Sequence, residues 1–228
     1  GSAFGLFPGN RAPFIAFSLL AIGVILYMFG RSRQHPAGQV LAMGLLLGGV
    51  ILKVGIEGVV VHTGSIDIQP MMANNFDTWM ILIGILINAA APPVSAWLAD
   101  SYPESSPTGS VFLSAFTTKT AVLALILLFP GEPVLIGIGL FMVMYGILYA
   151  LLENDMRRIL AYSIVNQVGF MVCAVGIGTQ MALNGVAAHA FSHILYKALL
   201  LMSAGAVLHQ TGFAVPIAGL HKRMEVIF

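Results

Sequence analysis

The chain of 228 residues is 58% hydrophobic and only 8% charged, with a formal net charge of +1 at pH 7. Soluble domains carry roughly 25% charged residues, so this composition excludes an ordinary water-soluble fold, and the small net charge excludes a basic surface for nucleic acid. Apolar stretches long enough to cross a hydrocarbon core of about 30 Å recur along the chain, which predicts an integral membrane protein.

These stretches predict seven transmembrane helices in a single all-α domain, residues 1–228. Helices are expected because a lipid-exposed backbone has to satisfy its hydrogen bonds within its own segment. In chain order the predicted spans cover residues 13–30, 40–61, 78–98, 109–129, 133–152, 158–177 and 182–209. The chain starts at Gly1 without a methionine and ends just after a charged cluster. We therefore expect a segment of a longer membrane domain.

Two consecutive prolines, Pro92 and Pro93, interrupt the third predicted span. A proline removes a helix hydrogen bond and clashes with the preceding turn, so the helix is expected to break near residues 89–95. In transporters such broken helices commonly line the ion path. A helix that ends near the membrane interface is the alternative interpretation.

The basic residues near the spans predict the orientation of the chain. Basic clusters at residues 31–35, 157–158 and 221–223 follow the first, fifth and seventh spans, which places all three on one side of the membrane. Connections on the other side contain Asp67, Asp77 and Glu132 but no lysine or arginine. The positive-inside rule makes the basic side cytoplasmic, and we expect a bacterial or archaeal cytoplasmic membrane.

Lysines within the predicted spans are the first candidates for function: Lys53, Lys119 and Lys197. A lysine at the bilayer centre costs roughly 2.5 to 3.5 kcal/mol on insertion scales, so it has to face other helices or water. Lys119 lies in the middle of its span, where its amine cannot easily reach an interface. We therefore expect a functional role for Lys119.

The last span carries His189, His193 and Lys197 at intervals of four residues, which places the three side chains on one helical face. A neutral imidazole accepts a proton on one nitrogen and donates from the other, so this face suits proton transfer. Histidines with purely structural roles are one alternative. A paired-histidine metal site lacks a nearby third ligand, and a retinal Schiff base at Lys197 would need a carboxylate that the third span lacks. No metal or cofactor is predicted.

Lys53 and Glu57 lie four residues apart in the second span and are expected to form an ion pair whose charges cancel in the membrane. The alternative is that this pair takes part in proton transfer, as a charge switch or an outer gate.

From about residue 77 to residue 224 the chain resembles the antiporter-like membrane subunits shared by Mrp-type multisubunit cation/proton antiporters and respiratory complex I, and the match is close to the D-type subunits of the Na⁺/H⁺ antiporters. The stretches that carry the resemblance occur in the family's order. They are PPVSAWLAD at 92–100, PTGSV at 107–111, TTKTA at 117–121, ENDMRRILAYS at 153–163, QVGF at 167–170 and HAFSHILYKALL at 189–200.

The resemblance implies that Lys119 lies in a central hydrophilic axis which His189, His193 and Lys197 continue. It also implies inverted repeats of about five helices, each with a broken helix, and half-channels that meet at mid-membrane. Residues of the matching stretches with an expected structural role are Pro92, Pro93, Trp97, Asp100, Asp155 and Arg157.

The chain departs from the family at three positions. Many members have a lysine where this chain has Asn88, a glutamate where it has Ser18, and a histidine where it has Ser95. The two partners expected for a charge switch are therefore replaced by neutral residues.

We thus expect a proton-translocating subunit of a multisubunit monovalent cation/proton antiporter, which is a transporter subunit and not an enzyme. Its expected partners are other membrane subunits, protons, and Na⁺ or K⁺. One alternative is the membrane subunit of a redox-driven proton pump, of the NADH:quinone oxidoreductase or hydrogenase type, with the redox centres on other subunits. Another is a non-conducting scaffold. Side chains expected to fill gaps in the relay, together with water, are Ser114, Thr117, Thr118 and Ser192.

Overall fold

The computed structural model describes residues 37–65 and 67–211, together with Leu20 and Gly23. The first predicted span, Ser18 and the basic clusters at 31–35 and 221–223 thus lie outside the described residues, apart from those two positions. The described helices are α1 (Ala37–Thr63), α2 (Phe76–Asn88), α3 (Ala96–Glu104), α4 (Pro107–Leu128), α5 (Val134–Leu152), α6 (Met156–Ile177) and α7 (Gln180–Thr211).

The fold is an all-α membrane bundle, as predicted. Within residues 37–65 and 67–211 no strand is present, and α1, α4, α5, α6 and α7 are long and apolar enough to cross a membrane. The two short helices α2 and α3 follow one another across the predicted break and together make the third predicted crossing.

Local capping sets the start of two of the long helices. The Ser106 side chain accepts a hydrogen bond from the Gly109 backbone N–H at 3.1 Å, and Pro107 occupies the first turn of α4. The Asp155 carboxylate accepts the backbone N–H groups of Arg157 and Arg158 at 2.8 and 3.0 Å and so begins α6. Because these caps precede the apolar stretches, both helices begin two residues earlier than predicted.

The predicted break at the two prolines is present. Helix α2 ends at Asn88 and α3 begins at Ala96, while Ala89 and Ala90 between them are fully buried. The indole Nε1 of Trp97 donates a hydrogen bond of 3.0 Å to the carbonyl oxygen of Ile87, which also accepts the Ala90 backbone N–H at 3.0 Å. The interrupted backbone therefore faces protein, as a membrane environment requires.

The third crossing extends further than predicted, because α3 continues to Glu104 instead of ending at residue 98. The sequence places a connection here on account of Pro103, but this proline lies in the last turn, where few hydrogen bonds remain to be lost. The Ser101 hydroxyl donates to the Trp97 carbonyl oxygen, and the Ser105 N–H donates to the Ser101 carbonyl oxygen at 3.1 Å.

Helices α5 and α6 pack closely because glycines on each remove side chains from their contact. A methyl group placed on Gly139 of α5 would lie 2.7 Å from the Cα atom of Cys173 in α6, and one on Gly176 of α6 would lie 2.7 Å from the backbone nitrogen of Ile136. Small residues of this kind let transmembrane backbones approach each other, and packing then supplies the attraction.

We predict that Gly139→Ala destabilises the protein by about 1 to 3 kcal/mol, because the added methyl group meets backbone atoms that cannot move aside cheaply. Gly137→Ala is the matched control, since a methyl group on Gly137 of the same helix has open space around it. Unfolding of the purified protein in detergent measures both. Equal stability of the two variants would contradict the close approach of α5 and α6.

Candidate functional site

Lys119 lies inside the bundle, on the part of α4 that packs among other helices. Its side chain is only 7% exposed. The amine Nζ donates to the Ser114 carbonyl oxygen at 2.7 Å and to the Thr118 hydroxyl at 3.2 Å. Both acceptors are neutral and belong to α4 itself, so this helix supplies polar contacts for the amine at bilayer depth.

Lys197 lies between α7 and α6. Its side chain is 2% exposed, and Nζ donates to the Ser163 hydroxyl at 2.9 Å and to the Leu160 carbonyl oxygen at 3.4 Å, both in α6. This amine therefore also has neutral oxygen partners. The hydrogen bonds fix the middle of α7 against the first half of α6.

His193 and His189 lie one and two turns before Lys197 on α7. His193 is completely buried, and its ring centroid lies 6.2 Å from that of His189 and 5.0 Å from that of Tyr196. Within the part of the chain that the structure describes, both ring nitrogens of His193 and Nε2 of His189 are buried without a hydrogen-bond partner. Buried polar atoms of this kind are normally paired with protein or ordered water.

Electrostatics join the two lysines and the two histidines into one cluster. The charges of Lys119 and Lys197 both act on His193, the charge of Lys119 also acts on His189, and the charge of Lys197 acts on Lys119. Helix α4 packs against both α6 and α7, and α6 packs against α7. The three helices thus bring the four predicted relay residues to one region. We call Lys119, His189, His193 and Lys197 the relay cluster.

The predicted auxiliary residues fall into two groups. Ser114 and Thr118 adjoin Lys119, and the Ser114 hydroxyl oxygen is buried without a partner among the described residues. Asn88 and Thr117 instead line a cavity of about 260 Å³ between α1, α2 and α4. Ser192 is exposed on α7, so its side chain is not enclosed with the cluster.

Lys53 and Glu57 form the expected ion pair on α1, with Nζ and Oε1 2.8 Å apart. Their side chains are 47% and 27% exposed, in contrast to the two buried lysines. The pair therefore lies in a more open part of the membrane domain than the relay cluster.

Three of the residues predicted to be structural, Asp100, Asp155 and Arg157, lie at the end of the bundle where α3, α4 and α6 meet. The other three, Pro92, Pro93 and Trp97, lie at or next to the break between α2 and α3. Arg157 is buried at that end of the bundle, Asp155 caps α6, and Asp100 of α3 lies 3.4 Å from the Arg158 guanidinium. Arg158 also lies 3.6 Å from Glu153. Together with Trp97 at the break, these contacts connect the short helix α3 to α2 and α6.

Sequence reasoning did not assign a role to several polar residues that contact the cluster. Ser163 and the Leu160 carbonyl accept hydrogen bonds from Lys197, and the Tyr196 hydroxyl near His193 donates to the Gln167 side chain at 3.3 Å. Polar residues within an apolar span are the signal available for Ser163 and Gln167. Their partners lie about 30 residues away along the chain, so only the packing of α6 on α7 identifies them.

Comparison with known proteins identifies the family. The family described as "NADH:quinone oxidoreductase/Mrp antiporter, TM" matches residues 14–226, which is nearly the whole chain. The chain belongs to this family. The described residues contain five apolar helices of membrane-spanning length, which agree with this family, so the protein is an integral membrane protein.

Similar proteins include a subunit of a Na⁺/H⁺ antiporter and a subunit of an NADH-quinone oxidoreductase. The chain is 29% identical over 229 residues to the D-type subunit of a Na⁺/H⁺ antiporter from Alkalihalophilus pseudofirmus, covering 93% of this chain and 46% of that protein. It is 27% identical over 197 residues to the M-type subunit of NADH-quinone oxidoreductase from Pseudomonas aeruginosa, covering 80% of this chain and 38% of that protein. The chain thus spans less than half the length of these relatives.

A solved member of the Mrp antiporter group has the same fold. The structure of the Mrp complex from Dietzia sp. DQ12-45-1b contains a chain that is 27% identical, with a TM-score of 0.69 over 75% of this chain and 35% of that one. The resemblance to Mrp-type and complex I membrane subunits is therefore confirmed, and relatives of this chain are subunits of multisubunit membrane complexes.

We predict that Ser163→Ala destabilises the protein by about 1 kcal/mol, because it removes the closest hydrogen-bond acceptor of the buried Lys197 amine. Ser203→Ala is the control, since this exposed serine donates only to the Leu199 carbonyl of its own helix. Unfolding of both variants in detergent checks the prediction. A loss of stability in Ser203→Ala as large as that in Ser163→Ala would show that the contact with Lys197 is not the cause.

Proposed function

We propose that the protein is a proton-translocating subunit of a multisubunit monovalent cation/proton antiporter. The observation that carries this proposal is the enclosure of two lysines and a histidine, Lys119, Lys197 and the fully buried His193, among the mutually packed helices α4, α6 and α7. Charged groups in a membrane interior are costly and mark ion pathways. The similarity to a Na⁺/H⁺ antiporter subunit of the D type supports the choice of an antiporter.

Protons move through the cluster by exchange between Lys119, His193 and Lys197. An imidazole can accept a proton on one ring nitrogen while it donates from the other, so His193 connects the two amines without any large movement. Both of its ring nitrogens are buried without a partner among the described residues, which leaves both available to water or to a neighbouring amine. His189 extends the same face of α7 by one further turn.

Hydroxyl groups extend the route from each amine. Thr118 contacts the Lys119 amine, and the buried Ser114 hydroxyl lies one turn before Thr118 on α4. On the other side, the Lys197 amine donates to the Ser163 hydroxyl. A hydroxyl both donates and accepts, so it can pass a proton along a hydrogen-bonded chain that includes water.

The coupled cation is Na⁺ or K⁺, and other membrane subunits complete the complex. The protein lies in a bacterial or archaeal cytoplasmic membrane with residues 31–35, 157–158 and 221–223 on the cytoplasmic side. In support, Arg157 and Arg158 adjoin the end of α3 and the start of α4, whereas Asp77 and Glu132 lie at the start of α2 and in the α4–α5 connection at the opposite end.

Similarity to the M-type subunit of NADH-quinone oxidoreductase favours a second candidate, the membrane subunit of a redox-driven proton pump. The same relay cluster would serve either machine, since the redox centres would belong to other subunits. Co-purification from native membranes distinguishes the two candidates. Iron–sulfur proteins in the purified complex favour the redox pump, and small membrane subunits without iron–sulfur proteins favour the antiporter.

We predict that Lys119→Ala lowers cation-driven proton movement at least a hundredfold in vesicles that contain the complete complex, on the order expected when a proton-transfer group is lost. Thr120→Ala, which alters the next residue on the exposed side of α4, is the control and retains transport. Unchanged transport in Lys119→Ala would refute the relay. Failure of the complex to assemble in every variant of the cluster would favour a scaffold.

A second prediction concerns the histidines of α7. His193→Leu is expected to reduce proton movement about a hundredfold, because an apolar side chain cannot connect the two amines. His209→Leu alters an exposed histidine in the last turn of the same helix and is expected to leave the rate unchanged. Proton flux per assembled complex is the measurement, and equal rates in the two variants would exclude His193 from the route.

A further inference from the structure

Arg157 is a buried charged residue that the proposed relay does not use. Its side chain is 8% exposed, and it lies in the first turn of α6, where α3, α4 and α6 come together. The neighbouring Arg158 is 40% exposed and forms ion pairs with Asp100 and Glu153. Two adjacent arginines thus have different environments, and only Arg157 is enclosed.

The guanidinium of Arg157 connects α6 to the end of α3 and to the first turn of α4. Its Nη2 atom donates to the Ser105 carbonyl oxygen at 2.7 Å, to the Tyr102 carbonyl oxygen at 3.2 Å and to the Ser110 hydroxyl at 3.3 Å. The first two acceptors are at the end of α3, and Ser110 is in the first turn of α4. Hydrogen bonds from a charged donor are the strong ones, and burial strengthens them further.

Other contacts make this junction stiff. The Tyr102 hydroxyl of α3 donates to the Leu113 carbonyl oxygen of α4 at 2.9 Å, and the Ser110 hydroxyl donates to the Pro107 carbonyl oxygen at 2.9 Å. Asp155 fixes the backbone of Arg157 itself through the N-cap of α6. Arg157 joins this α3–α4 corner to α6 through a buried side chain, whereas the Arg158–Asp100 pair between α6 and α3 is exposed.

Both helices joined by Arg157 lead directly to the relay cluster. Along α6, Leu160 and Ser163, the partners of Lys197, lie about 5 and 9 Å beyond Arg157 at the usual helical rise. Along α4, Ser114 and Lys119 lie about 6 and 14 Å beyond Ser110. The position of α4 relative to α6 at this junction therefore affects the separation of the two amines.

We infer that Arg157 is a positioning residue that fixes α4 against α6 and thereby sets the distance between Lys119 and Lys197. The inference rests on the proposed relay for its functional consequence, while the fixed helix distance stands on the contacts alone. Proton transfer depends steeply on distance, and a displacement of about 1 Å can cost a hundredfold in rate. Arg157 never touches the transferred proton.

The decisive variant is Arg157→Lys, because lysine keeps the charge but has a single nitrogen and lacks the planar guanidinium. Arg157→Gln is the second variant, and it replaces Arg157→Lys if that protein fails to accumulate. Arg158→Gln is the matched control, since it removes the adjacent exposed arginine. Each is made in the complete complex, with Cys173→Ala as background and spin labels on cysteines at Phe116 of α4 and Phe170 of α6, both of which are exposed.

Two quantities are measured in each variant: the distance distribution between the labels, and proton flux per assembled complex as a function of cation concentration. We expect Arg157→Lys to shift or broaden the distances and to lower the maximal flux at least about tenfold, with the half-saturating cation concentration unchanged. Arg158→Gln is expected to match the parent in both.

Two results would overturn the inference. A distance distribution in both Arg157 variants identical to that of Arg158→Gln would show that Arg157 does not fix the helices. Altered distances with an unchanged maximal flux would show that the junction does not act on the relay. Failure of the relay itself is detected separately. In that case Lys119→Ala transports protons normally, while the label distances still change in the Arg157 variants.

Discussion

An amine carried into the hydrocarbon of a bilayer has to be enclosed by protein and supplied with oxygen partners, and this requirement organises the described part of the molecule. Lys119 obtains its partners from α4, whereas Lys197 obtains them from α6. Helix α7 carries Lys197 and both histidines, so it has to pack against both other helices. The arrangement of α4, α6 and α7 therefore does two things: it packs the helices together, and it encloses the two amines with the oxygen atoms that replace water.

The rest of the fold supports that arrangement from two sides. Glycines bring α5 against α6 so closely that backbone contacts backbone, which gives α6 a rigid support along its length. The broken crossing α2–α3 contacts α4 through Tyr102 and α6 through Arg157, and the Trp97 indole joins its two halves. Rigid neighbours of this kind preserve the geometry of a site better than loops do.

Much of the fold and the principal candidate residues could be predicted from the sequence, because membrane depth and helical period are local properties. The lengths of the apolar stretches predicted the long helices α1, α4, α5, α6 and α7, and the two prolines predicted the break in the third span. The spacing of His189, His193 and Lys197 predicted their common face. Contacts between distant helices were beyond this reasoning: Ser163 as a partner of Lys197, and Arg157 as a link to α3, depend on packing. The end of α3 was predicted too early because Pro103 indicates a connection, whereas the backbone hydrogen bonds that continue the helix past it are visible only in the structure.

The bond from the Trp97 indole to the Ile87 carbonyl has a mechanical consequence. Rotating α3 as a separate unit about the proline pair would leave the buried indole N–H of Trp97 without its acceptor, which is costly in a membrane. The crossing is thus kinked at the two prolines and rigid at the kink. The other end of α3 is held to α4 by the Tyr102 hydroxyl and to α6 by Arg157, so α3 cannot turn without moving the start of both helices.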